Sequence, residues 1–129
     1  MKMKTSELTG LALDWAVAKC EKVDEYILYE SFMSRWTDEE GDTYQYSTDW
    51  AQGGSIIEKE YISVWFNDVF FMNEDGDIER EATWCAKNDA GMYEQTGDTP
   101  LIASMRCYVA SKLGDEVDVP DELKGESNE

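Results

Sequence analysis

Leu8, Leu11, Ala12, Trp15 and Ala16, with Lys19 at their end, recur at the three- and four-residue steps of one helical face, which predicts a helix over residues 7–21. Thr5 or Ser6 can cap its start, and Glu7 suits the positive end of its dipole. Trp15 is the expected core anchor. A second helix is expected over 49–59, where Ser47-Thr48-Asp49 offers N-cap groups ahead of Trp50, Ile56 and Ile57. The Gly53-Gly54 pair inside it costs ~1 kcal/mol per glycine relative to alanine, so it implies close packing. The third helix, over 99–113, is the best delimited: Thr99 as N-cap, Pro100 at the first position, Gly114 just past the end. Ile102, Met105, Val109 and Leu113 form its apolar stripe, flanked by Leu101 and Tyr108.

Between these helices the period changes to two. Tyr61, Ser63, Trp65 and Ile62, Val64, Phe66 make alternating faces of a strand. Asn67-Asp68 is expected to turn the chain into Val69-Phe70-Phe71-Met72, and Asp75-Gly76 to turn it again into a strand from Ile78 to Cys85. An antiparallel meander follows. Residues 25–47 read as a hairpin, with strands at Tyr26–Tyr29 and Phe32-Met33 and a turn at Glu40-Gly41-Asp42 before Thr43-Tyr44-Gln45-Tyr46, or else as a long loop. Val117, Val119 and Pro120 suggest a short extended exit. The pattern predicts an α+β fold, three helices on an antiparallel sheet of three to five strands. It divides into one domain over 1–115 and an acidic tail over 116–129.

The net charge of −18 changes this picture little, because it is concentrated. Residues 37–49, 73–81 and 114–129 account for 15 of those 18 charges, in two apparent turns and one chain end, where charge is easily solvated. Solubility is the bland consequence, and imitation of a phosphate track the sharper one. Eleven basic residues against 29 acids exclude direct nucleic-acid binding.

The chain has no histidine, which removes Ser-His and Cys-His nucleophiles and histidine metal sites. Cys20, Cys85 and Cys107 are odd in number and widely spaced, as expected of reduced structural thiols. No stretch approaches the roughly 20 apolar residues of a membrane span, and no apolar leader follows Met1. Gly53-Gly54 lacks the rest of a phosphate-binding loop. Asn73, Asp75 and Asp77 surround Gly76 like a calcium loop, but Phe71 and Ala82 stand where acids are required. No cofactor or metal is therefore expected. Arg106, the one charge amid the third helix's stripe, could pair with Asp49 or hold an anionic ligand. A binding surface, if present, is expected around Trp50, Gln52 and the acids Asp38, Glu39 and Glu40.

Three stretches share a resemblance: TSELTGLALDWAVAKC at 5–20, YSTDWAQGGSIIE at 46–58 and GDTPLIASMRCYVASKLGDEV at 97–117. Together they resemble the NinX family of tailed-phage proteins, small products of unknown function. The Tyr-Ser-Thr-Asp start and Thr-Pro-Leu helix also resemble, more distantly, a phage α-β-α sandwich domain. The likeness covers about half the chain, and 22–45 and 67–96 read as insertions. It implies a phage origin and action in the cytoplasm of an infected bacterium, with a host or phage macromolecule as partner. It carries over no catalytic residues. Two alternatives stand beside it: an acidic mimic that inhibits a DNA-binding defence protein, and a small enzyme or ligand-binding domain using Asp49 and Arg106.

Overall fold

The computed structural model describes residues 2–24, 28, 44–121 and 123. The expected hairpin over 25–47 therefore falls largely outside the described residues, as do Asp38, Glu39, Glu40 and the chain end from 124. Tyr44–Tyr46, expected as strand, instead enters a turn: the Gln45 carbonyl accepts the N–H groups of Thr48 (3.1 Å) and Asp49 (2.8 Å).

The described elements run β1 (Lys2–Lys4), a 3-10 turn (Thr5–Glu7), α1 (Gly10–Cys20), α2 (Trp50–Lys59), β2 (Ser63–Met72), β3 (Ile78–Lys87), β4 (Glu94–Gly97), α3 (Pro100–Leu113) and β5 (Glu116–Asp118). All strand pairing is antiparallel, in a three-stranded sheet ordered β2-β3-β4 and a separate β1–β5 pair. The fold is thus α+β.

Helix α3 occupies the middle. It packs on β2, β3 and β4 on one side and on α1 and α2 on the other. Its ends are those read from sequence: the Thr99 hydroxyl accepts the Ile102 N–H, and Gly114, at φ +90°, closes the helix through the Ala110 carbonyl. The expected stripe is too narrow, however. Ala103, Ser104, Cys107, Tyr108 and Ala110 are buried along with Met105 and Val109, while Leu113 is exposed. A helix held between a sheet and two other helices has almost no solvent face.

The first helix starts later than expected. Leu8 is fully buried and its carbonyl accepts from Arg106, so it does not enter a helical ladder. Thr5 does not cap α1: its hydroxyl donates to Gly114 at 2.6 Å and its N–H to Asp115 at 2.8 Å. These bonds join the chain's beginning to the end of α3, where β1 pairs with β5 (Met3 opposite Val117). Val117, Val119 and Leu123 are buried, so packed chain continues past residue 115.

The sheet differs from the expected meander at one point. Asn67-Asp68 does not turn; β2 runs unbroken for ten residues against ten of β3. Arg80 makes the charge of Asp68 tolerable mid-strand, its Nε and guanidinium NH2 donating to the two carboxylate oxygens at 2.7 and 3.1 Å. The real turn is at 73–77. The Asn73 side chain accepts the N–H groups of Asp75 and Asp77, and Gly76 takes φ +85°. A tight turn followed by a left-handed glycine is a standard hairpin closure.

Gly53 explains the glycine pair. A Cβ there would lie 2.3 Å from the Tyr46 carbonyl oxygen and 2.7 Å from Leu101, whereas one on Gly54 would meet only Trp50 Cε3 at 3.4 Å. Gly53→Ala is expected to destabilise the fold by about 1–3 kcal/mol through overpacking. Gly54→Ala should be neutral or stabilising by up to ~1 kcal/mol. Urea denaturation of both variants measures the contrast.

Candidate functional site

The β2–β3 hairpin is longer than the body that supports it. Strand β4 pairs only with Trp84–Lys87 of β3. Six rungs, from Asn67 opposite Thr83 to Met72 opposite Ile78, have no third strand among the described residues and form a two-stranded arm about 20 Å long. Isolated two-stranded ribbons are marginally stable in water.

Register decides what the arm presents. Opposite residues of an antiparallel pair share a face. One face carries Val64 and Ala86, then Phe66 and Trp84, Asp68 and Ala82, Phe70 and Arg80, Met72 and Ile78. Its inner end belongs to the core: Ala86 is fully buried, and Val64 and Trp84 pack against the buried cluster. The same apolar face then continues outward uncovered. The Phe66 ring lies 5.1 Å from the Trp84 ring, and beyond it Phe70 is 64% exposed, Met72 66% and Ile78 65%. The other face sets Val69 opposite Glu81 and Phe71 opposite Glu79. Both acids lie on β3, within the strand expected from Ile78.

Contiguous exposed apolar surface of this kind makes the strip the candidate interaction site. The Asp68–Arg80 pair inside the strip keeps Asp68 below its ordinary carboxylate pKa, chiefly through the hydrogen bonds from Arg80. Ionised and paired, it adds polarity without net charge.

The residues expected from sequence to form a site serve mainly to build the fold. Asp49 caps α2, its Oδ1 accepting the Ala51 N–H at 2.9 Å. Gln52 accepts the Gln45 N–H at 2.9 Å and donates to Asp49 at 3.2 Å. Arg106 does not meet Asp49. Its Nε donates to the Leu8 carbonyl and its NH1 to that of Thr96, at 2.8 and 2.7 Å, tying the 3-10 turn and β4 to α3. Burial lowers its pKa, while Asp98 and Glu7 oppose that shift. Trp50 is 58% exposed, beside a shallow depression of about 220 Å³ with Thr48, Thr99 and Pro100 on its wall. The structure therefore does not gather Asp49, Gln52 and Arg106 around one ligand.

One buried acid was missed. Asp14 lies in α1 at 5% exposure and accepts the Ser47 N–H at 2.8 Å, with the Ser47 hydroxyl also bonded to it. It fixes the turn that launches α2. Its signal was visible in retrospect, as the lone acid in the otherwise apolar run Leu11–Ala18. Burial pushes the Cys107 thiol up to about 11 and the Cys20 thiol up to about 12, and raises Cys85 as well, which favours the protonated form of each. Among the described residues no cluster of three acids or cysteines could hold a metal ion.

A family model described as Bacteriophage P22, NinX matches residues 4–112. The matched range runs across both stretches expected as insertions, 22–45 and 67–96. No curated protein matches the chain.

Burial raises the pKa of Asp14 from 3.8 to about 6, against the lowering effect of the Ser47 hydrogen bonds. The folded state then holds a proton more tightly than the unfolded chain between those values. Stability should increase as pH falls through about 6 and stop gaining from this group below about 4. Comparing wild type with Asp14→Asn by urea unfolding at pH 7.5 and 5 should shift the difference toward wild type by on the order of 1 kcal/mol at the lower pH.

Proposed function

The chain belongs to the bacteriophage P22 NinX family, and we propose that it is a non-catalytic accessory protein that acts by binding another protein through its β2–β3 arm. One observation carries this reading: the core-facing side of the hairpin continues past its supporting strand as the exposed row Phe66, Phe70, Met72, Ile78. Leaving such side chains in water costs roughly 1.5–3 kcal/mol each relative to burial. A surface of that kind is retained where a partner covers it.

The partner is a host or phage protein inside the infected bacterium. No helix among the described residues is long and apolar enough to cross a membrane. Nucleic-acid mimicry has weaker support. The acids on the arm's strands, Asp68, Glu79 and Glu81, stand opposite Ala82, Phe71 and Val69, and apolar partners on all three rungs suit a protein surface better than a phosphate track. An enzyme built on Asp49 and Arg106 is disfavoured because both side chains are engaged by the fold.

Substituting Phe70→Thr, Met72→Thr and Ile78→Thr together keeps β-favouring residues while removing the apolar row. The melting temperature should move by no more than a few degrees, since these side chains are already exposed. Affinity for a protein captured from infected-cell lysate by the wild type should fall at least ~tenfold, as expected for loss of anchor residues. Unchanged affinity would refute the arm as the interface. Turnover of a small molecule by the purified chain would refute the whole reading.

A further inference from the structure

The outer edge of β2 has a property that its apolar faces do not require. β2 is an edge strand: β3 pairs with one side over all ten residues, and no described strand pairs with the other. It is also nearly free of charge in a chain that carries 29 acids. From Ser63 to Met72 the one ionised side chain is Asp68, and Arg80 of the same chain already clamps it. The arm's other acids lie on the turn or across the ribbon, at Glu74, Asp75, Asp77, Glu79 and Glu81.

We propose that two copies of this chain pair antiparallel along β2 about a two-fold axis, forming one six-stranded sheet ordered β4-β3-β2-β2-β3-β4. Charge selects a second copy as the occupant. Two molecules at −18 repel almost wherever they touch, and β2 is an edge along which neither brings net charge. A basic foreign strand would find no unneutralised acid on β2 to complement. Pairing at β2 leaves the two β3 strands about 14 Å apart, three strand spacings, beyond the screening length of about 8 Å at physiological salt. The open edge itself supplies unpaired backbone donors and acceptors, the usual template for strand addition.

Face matching restricts the register. Directly opposite residues share a face, so residues of like parity must pair; Asn67 with Asn67 of the second copy does this and sets Asp68 opposite Phe66, not opposite its own copy. Under that rule the rows Phe66-Phe70-Met72 of both arms lie on one side of the sheet. The assembly does not depend on what that side binds.

Light scattering across a micromolar concentration series should show the mass rising to twice the monomer's. Hydrogen exchange of the Ser63–Met72 amides should slow over the same range. Asn67→Glu places like charges near the axis and should raise the dimer Kd at least ~tenfold. Ser55→Glu adds the same charge on an exposed site of α2 and should leave Kd within about threefold. A monomer at every concentration overturns the proposal. So does a dimer whose β2 amides exchange freely, or one indifferent to Asn67→Glu. The triple threonine variant of the apolar row tests partner binding and leaves the β2 edge charge untouched, so the two readings fail separately.

Discussion

The structure depends on burying one helix from nearly every direction. Helix α3 has the sheet on one side and α1 and α2 on the other, and its side chains reach full burial all round its axis, from Ala103 through Met105, Cys107 and Val109. Such a helix has no polar face to spend on function. Its polar groups are consumed internally: the Ser104 hydroxyl donates to the Pro100 carbonyl at 2.7 Å, and Arg106 donates to carbonyls of two neighbouring segments. Tyr108 donates to Glu21 just past α1, and Glu21 also receives Lys59 of α2 at 3.0 Å, so one carboxylate ties three helices. Burial comes first and those hydrogen bonds follow from it, because a buried donor without a partner is costly.

The same logic accounts for the polar residues ahead of α2. Asp14 holds Ser47, Asp49 caps the helix, and Gly53 admits the Tyr46 carbonyl at a distance that no side chain would allow. These residues determine where α2 lies against α3. Once they are assigned to that work, the exposed apolar row of the β2–β3 arm stands out as the surface without a structural use. The proposed function rests on the part of the sheet that outruns the core.

Much of the fold was legible because local chemistry and global packing agree. Thr99, Pro100 and Gly114 delimit α3 through capping, which acts within a few residues, and Asp49 does so for α2. The period-two pattern over 61–66 gave a strand for the same reason. Where sequence reading went astray, a distant partner had overruled a local preference. Thr5 is a good helix cap that serves Gly114 instead, 109 residues away. Asn67-Asp68 is a good turn pair that stays extended within a ten-rung ladder against β3, with Arg80 paired to Asp68 across the ribbon. Arg106 was read beside Asp49, yet the backbone carbonyls of Leu8 and Thr96 claimed it.

The candidate site followed the same division. Phe70, Met72 and Ile78 were plain in the sequence as strand residues, but an apolar strand looks alike whether its face is covered or bare. By itself the sequence determined the three helices, the ends of α2 and α3, the family resemblance and the scarcity of conventional catalytic groups, since each rests on residue identity and short-range spacing. Only the tertiary structure decided that pairing with β4 stops at Trp84, leaving six rungs of hairpin without a third strand among the described residues, and that Asp14 is buried. Exposure depends on what the rest of the chain places nearby, and no local pattern encodes where a supporting strand ends.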